Sequence, residues 1–147
     1  MNPKTKILSL RGQELPKSLP TQEEIDKLPK RKTNDKDGNK IEIPDIDKLE
    51  RETVGNIILN CLATYVADDK REGFYINMIA HSIITGDIKI EFKEKLKTFI
   101  LKVLDEATAR KVKERDENGV DKEVDKGMYH SWVIAQVKKE LGFDEEE

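Results

Sequence analysis

The sequence contains few of the residues that build metal, redox or nucleophilic centres. Its 147 residues include one cysteine and two histidines. A single thiol excludes an internal disulfide framework and fits a reducing cytoplasm, which is the expected location. Aromatic residues make up 5% of the chain, and its 8 glycines do not cluster into a phosphate-binding loop. Composition therefore gives no support to the common classes of cofactor-dependent enzyme.

Long hydrophobic runs are also missing. A membrane-spanning helix needs roughly 18 consecutive apolar residues, and no run in this chain approaches that length, so we expect no membrane partner. Hydrophobic residues make up 36% of the chain, below the roughly 45–50% usual for globular proteins. Part of the chain is therefore expected to lie outside the core.

The charges are unevenly distributed, although the formal net charge is only −3. Residues 1–40 hold ten Lys or Arg against six Asp or Glu, an excess of four positive charges, and the remainder therefore carries −7. The densest basic cluster is Lys30, Arg31 and Lys32. It is interpreted as a solvated linker, or as an arm that contacts nucleic acid or an acidic protein face. The cluster lacks aromatic residues, so stacking on bases is not predicted.

Residues 1–46 are predicted to form an N-terminal arm with short strands. Residues 6–10 and 41–43 have strand-like patterns, and Thr21 followed by Glu24 marks one helical turn. Prolines and glycines interrupt the segment between the strands, so residues 11–40 are expected to be extended or partly disordered on their own.

The sequence DKDGNKIEI (35–43) has some features of a calcium-binding loop. If Gly38 is the sixth residue of such a loop, the first position holds Thr33 and the twelfth holds Pro44. Calcium needs an acidic residue at the first position and a bidentate glutamate at the twelfth. We therefore predict a polar turn and no metal here.

Residues 47–147 are predicted to form a helical domain. Apolar residues recur at helical spacing in the uncharged stretch TVGNIILNCLATY (53–65) and in the helix that follows it, and both cover a wide arc. The pair Asn118–Gly119 predicts a type I′ turn in a charged hairpin over 110–127. The fold class is therefore predicted as mostly α, a four-helix single domain with minor β-hairpin and strand elements and an extended N-terminal arm. The four helices are predicted over 47–67, 70–85, 91–109 and 128–141.

The obvious soft metal ligands or nucleophile partners are Cys61, His81 and His130. They lie on three different predicted helices, without the short ligand spacing that is typical of zinc sites. Cys61 falls on an apolar helix face, where a packing role is predicted in preference to a Cys–His nucleophile pair. The chain is predicted to be non-enzymatic, with no cofactor and no metal.

The segments KILSLRGQEL (6–15), TVGNIILNCLATY (53–65) and SWVIAQVKKEL (131–141) follow one another in a characteristic order. This order resembles that of a loose class of small helical phage and prophage proteins, mostly of unassigned function. The resemblance implies a phage context, in the host cytoplasm or the virion, and an assembly, accessory or host-interaction role. It implies no catalytic residues.

The wide apolar arcs beside a long arm predict a non-enzymatic protein–protein interaction module, either a homo-oligomer or bound to a protein partner. Two alternatives remain, a nucleic-acid-associated regulator that uses the basic arm and a small-ligand-binding protein. The ligand-binding alternative needs a pocket at which Tyr75, His81, Tyr129, His130 or Trp132 converge. The candidate interaction residues are Leu59, Ala63, Ile76, Ile84, Trp132, Lys30, Arg31 and Lys32.

Overall fold

The computed structural model of the chain describes residues 2–86 and 93–142. Residues 87–92, which include the predicted start of the third helix at 91, and residues 143–147 lie outside these ranges. In chain order the elements are α1 (Gln22–Asp26), β1 (Lys30–Asn34), β2 (Lys40–Pro44), a 3-10 turn (Ile46–Lys48), α2 (Val54–Thr64), α3 (Lys70–Thr85), α4 (Glu94–Ala107), β3 (Arg110–Arg115), β4 (Asp121–Lys126) and α5 (Ser131–Glu140).

The fold is a mixed α/β arrangement, so the predicted class, a mostly α four-helix domain with minor strands and an extended arm, is wrong. Among the described residues there are five α-helices and two antiparallel two-stranded sheets, β1–β2 and β3–β4. Helix α1 forms at the helical turn predicted from Thr21 and Glu24, and β2 covers the predicted strand at 41–43. Strand β1 forms inside the segment 11–40 that was expected to be extended or partly disordered. Thr21 caps α1 by accepting a hydrogen bond from the Glu24 amide, and the hairpin is closed by a turn that satisfies its own backbone groups.

Both hairpins close with the same turn. The Gly38 amide donates to the Asp35 carbonyl at 3.2 Å, and the Gly119 amide donates to the Asp116 carbonyl at 3.1 Å. Gly38 and Gly119 have φ values of 80° and 76°, a left-handed conformation that glycine adopts without a steric penalty. The predicted type I′ turn needs a positive φ at both central residues, and Asn118 has a negative one. Each loop is instead a type I turn followed by a left-handed glycine.

Helix α2 is shorter than the helix predicted over 47–67, because the backbone groups of the residues before it form hydrogen bonds with the N-terminal segment. Thr53 is the N-cap, with extended dihedral angles and a side chain that accepts from the Asn56 amide. The residues before it pair with the N-terminal segment and cannot also form helical hydrogen bonds. The pairing bonds are Ile7 N to Glu52 O at 3.0 Å, Glu52 N to Leu15 O at 2.7 Å and Val54 N to Thr5 O at 2.9 Å.

The N-terminal residues pack on the helical body. The Ile7 side chain is 0% exposed, and the Leu8 backbone exchanges two hydrogen bonds with the Gln136 side chain of α5, at 2.9 and 2.8 Å. Pro3 lies so close to α2 that a Cβ added to Gly55 would be 2.8 Å from the Pro3 Cβ. Residues 3–8 therefore pack against the helical body and do not form a free arm.

The uncharged helix α2 lies at the centre of the core, as its sequence predicts. It packs against α3, α4 and α5, and its side chains at Ile57, Ile58 and Cys61 are 1% exposed or less. Across residues 2–86 and 93–142, no helix combines the length and hydropathy needed to cross a lipid bilayer.

Candidate functional site

The eight candidate interaction residues are divided between the helical body and the first hairpin. Leu59, Ile76 and Trp132 are half-buried and pack against the core, so most of their apolar surface already has partners within the chain. Ala63 and Ile84 are exposed on α2 and α3. The three basic residues, Lys30, Arg31 and Lys32, are exposed on β1. The structure does not bring the apolar and basic candidates together at one site.

An exposed apolar surface runs along α3. Phe74, Met78 and Ile84 are 61%, 41% and 71% exposed, whereas Ile79 and Ile83 on the inner side of the same helix are buried. At 3.6 residues per turn the three exposed side chains fall within an arc of about 120°, which they share with the exposed polar side chains of Asn77 and His81. We call these three residues the α3 strip. Exposed apolar side chains grouped in this way, beside polar residues, mark interaction surfaces.

The first hairpin carries an excess of basic side chains, five against three acidic ones over residues 30–44. Lys30, Arg31, Lys32, Lys36 and Lys40 are all exposed. Within the part of the chain that the structure describes, none of them forms a salt bridge. Their positive charge is therefore available to a partner.

The second hairpin has the same turn but balanced charge. Its residues 110–126 include six basic and six acidic side chains. Three salt bridges join these side chains, namely Arg115–Asp121 at 3.5 Å, Lys122–Asp116 at 3.9 Å and Lys126–Glu114. Exposed pairs such as these contribute little to stability, but they cancel much of the field that the hairpin presents to solvent.

A buried carboxylate joins the N-terminal segment to α2. Glu52 is 2% exposed, and each of its two carboxylate oxygens accepts two hydrogen bonds from other groups of the protein. One oxygen accepts from the Thr53 amide at 3.1 Å and from the Asn56 side chain, and the other accepts from the Ser18 amide at 2.8 Å and from the Ser18 hydroxyl. A site made only of donors suits an ionised carboxylate, which has acceptors alone.

The Ser18 hydroxyl extends this group to the segment that precedes α5. It lies 3.0 Å from the Tyr129 hydroxyl, which also accepts from the Asn60 side chain at 3.0 Å. We call Ser18, Glu52, Asn56, Asn60 and Tyr129 the Glu52 network. Sequence reasoning missed it because Glu52 occurs in the charged run KLERE, where one acidic residue looks like the next.

The Cys61 thiol beside this network and the Tyr129 hydroxyl within it are held in their protonated forms. Burial, with a smaller contribution from the Glu52 charge, raises the pKa of the Cys61 thiol from its ordinary value of 9.0 to about 12. Burial also raises the pKa of Tyr129, against hydrogen bonds with Ser18 and Asn60 that lower it. A nucleophilic cysteine needs a lowered pKa and access to substrate, so the position of Cys61 favours packing over chemistry.

The other side chains considered as ligands or nucleophiles are also separated. His81 and His130 are exposed, and His130 stacks on Trp132 with ring centroids 6.2 Å apart. Tyr75 instead packs on Phe99, with centroids 5.6 Å apart. Among residues 2–86 and 93–142 there is no group of three His, Cys, Asp or Glu side chains arranged to hold a metal ion. The convergence required by the ligand-binding alternative is not observed.

One further polar cluster connects the break between α2 and α3 to α4. Lys102 lies 2.9 Å from Asp68 and 3.0 Å from Glu72, and the Tyr65 hydroxyl donates to Glu72 at 2.9 Å. Hydrogen bonds from the Asp68 amide, then from Lys102 and Tyr65, lower the pKa of Glu72, although its partial burial opposes them. Glu72 and Lys102 also line a cavity of about 490 Å³. The charged groups of the cluster satisfy one another, so we interpret the cluster as a structural joint.

No family model, curated protein or solved structure matches this chain. The α3 strip and the basic first hairpin are therefore the features that bear on function.

Proposed function

We propose that the protein is a non-enzymatic protein–protein interaction module that pairs with a second copy of itself through the α3 strip. The exposure of Phe74, Met78 and Ile84 on a helix whose inner face is fully packed is the observation that carries this proposal. Leaving such apolar groups in water is unfavourable by about 25 cal/mol per Å², so a partner that covers them gains free energy. The phage or prophage assembly or accessory role implied by the resemblance is part of the same proposal.

The layout of α3 favours a two-fold pair of antiparallel helices. Met78 lies at the middle of Lys70–Thr85, so in such a pair it contacts the same residue of the partner. Phe74 of each copy then lies near Ile84 of the other, which joins the largest exposed groups. A two-fold interface uses one patch on both copies, and a patch centred on one residue meets this requirement.

Charge at the ends of α3 supports the same orientation. Lys70 and Arg71 are exposed at its N-terminal end, and the last turn contains no basic residue. In an antiparallel pair, these cations approach the C-terminal end of the partner helix, where unpaired carbonyls carry partial negative charge. A parallel pair would instead bring the cations of both copies together.

We expect the wild-type protein to change from one to two chain masses as its concentration rises through the micromolar range. Phe74→Lys and Met78→Lys should each weaken association by roughly thirty-fold or more, because truncating a buried anchor residue typically costs about 2 kcal/mol and a lysine adds a buried charge. The measurement is sedimentation velocity or light scattering across concentration.

Val120→Lys is the matched control. Val120 is 56% exposed and lies at the tip of the second hairpin, so the same change in charge is made away from α3. Circular dichroism should show that all three variants keep the wild-type helix content. A wild-type protein that stays monomeric at every concentration would contradict the proposal, as would equal weakening by Val120→Lys.

A further inference from the structure

We propose that the first hairpin, β1–β2, is a ribbon that binds the backbone of double-stranded DNA. This inference uses a surface other than the α3 strip and is independent of self-association. Five exposed cations lie on fifteen residues, 30–44, against three acidic residues, Asp35, Asp37 and Glu42. The Asp35 carboxylate is already engaged, because it accepts from the backbone amides of Asp37 and Asn39 at 2.9 and 2.8 Å.

The strand register divides the hairpin into two different faces. Directly opposed residues share a face, and the pairs are Lys30↔Pro44, Lys32↔Glu42 and Asn34↔Lys40 on one side, with Arg31↔Ile43 and Thr33↔Ile41 on the other. The second face includes the half-buried side chains of Thr33 and Ile43. On the first face Lys30, Lys32, Asn34 and Lys40 are all exposed, so three ammonium groups and one amide point into solvent together.

The spacing of these lysines fits a regular polyanion. Residues two apart on a strand, such as Lys30 and Lys32, are about 6.6–6.8 Å apart. This is about twice the 3.4 Å axial spacing of phosphates along one DNA strand. Because the backbone also winds around the axis, neighbouring phosphates lie further apart than this axial rise, and a ribbon laid along the backbone can place the two ammonium groups near neighbouring phosphates. An acidic protein surface has no such fixed repeat.

The kind of nucleic acid follows from the shape and composition of the ribbon. A two-stranded β-ribbon fits the major groove of B-form DNA, which is about 12 Å wide, and from there its lysines can reach the phosphates that border the groove. The major groove of double-stranded RNA is deep and narrow and cannot accept it. Single strands are usually held by stacking on aromatic residues, and residues 30–44 contain none. With lysines as the main contacts, we infer binding to duplex DNA with little preference for sequence.

The test compares equal losses of charge on the two hairpins of the full-length protein. One variant combines Lys30→Gln, Lys32→Gln and Lys40→Gln, and its control combines Lys111→Gln, Lys113→Gln and Lys122→Gln. Fluorescence anisotropy measures binding to two duplexes of unrelated sequence over a series of salt concentrations. The first variant should bind roughly ten-fold or more weakly at low salt, with the slope of log K against log salt reduced by about 2–3, because each phosphate contact contributes about 0.9 to that slope.

Gain of affinity provides a second readout. Glu42→Gln removes the one acidic side chain on the lysine face and should tighten binding to both duplexes by a few-fold. Equal weakening by the two triple variants would show that only net charge matters and would overturn the proposal. It would also be overturned if the wild-type protein failed to bind duplex DNA, or bound polyglutamate or single-stranded DNA more tightly than the duplexes.

Discussion

Replacing Ile57 by alanine should lower the free energy of unfolding by about 2–5 kcal/mol, the usual cost of truncating a fully buried aliphatic side chain. Ile57 is 0% exposed and lies on α2, against which three other helices pack. The substitution leaves a cavity at the point where those helices meet. Urea unfolding followed by circular dichroism measures the change, which is a large part of the 5–15 kcal/mol that stabilises a typical domain.

Ile46→Ala provides the matched control. The same atoms are removed from a side chain that is 53% exposed in the 3-10 turn, and the expected change lies within about 0.5 kcal/mol. If the two variants had equal stability, α2 could not be the centre of the core.

Replacing Glu52 by alanine should cost about 3 kcal/mol, because buried groups that lose a hydrogen-bond partner each cost about 1–3 kcal/mol. The change removes the acceptor for the Ser18 amide, the Thr53 amide and the Asn56 side chain. Glu52→Gln should also destabilise the fold, although it keeps the side-chain volume. The NH₂ group of the glutamine replaces an oxygen that accepted hydrogen bonds, and it then faces other donors. Thermal and urea unfolding of both variants test this expectation.

Glu50→Ala is the control for this pair. Glu50 is exposed and two residues away, and the hydrogen bond that it accepts from Lys17 involves its backbone carbonyl, which the substitution retains. We expect almost no change. A Glu52→Gln variant as stable as the wild-type protein would show that the network does not require a carboxylate.

Elements defined by local signals were predictable from the sequence. The second predicted helix, 70–85, covers the same residues as α3, because Asp69 supplies an N-cap that accepts from the Glu72 amide. The position of the second hairpin was predictable for a similar reason, since an Asn–Gly pair between charged, β-branched segments favours a turn. The turn type was not predictable. The turn begins at Asp116, one residue before the position at which a type I′ turn centred on Asn118–Gly119 would begin.

Features that depend on contacts between distant residues were not predictable. The apolar pattern allows a helix before Val54, but the N-terminal segment occupies the backbone groups of that stretch. The Glu52 network requires Ser18 and Tyr129, which are 111 residues apart in the chain. Nothing in a single sequence indicates that such residues meet.

The α3 strip illustrates a different limit. Phe74 and Met78 satisfy the helical repeat together with Ile79 and Ile83, so a helix that is apolar over a wide arc has no unique inner face. Only the packing of α2 and α4 against α3 decides which residues remain exposed. The sequence therefore identified Ile84 as an interaction candidate and missed the other two members of the strip.

The most direct test of two-fold pairing is cysteine cross-linking at the middle of α3. In an antiparallel pair the two copies of residue 78 meet, whereas two copies of residue 70 are about 24 Å apart along the axis at 1.5 Å per residue, too far for a disulfide. The native Cys61 is buried and does not compete. On mild oxidation, we predict a covalent dimer of Met78→Cys and none of Lys70→Cys. Cross-linking of Lys70→Cys, or none at either position, would contradict the proposed interface.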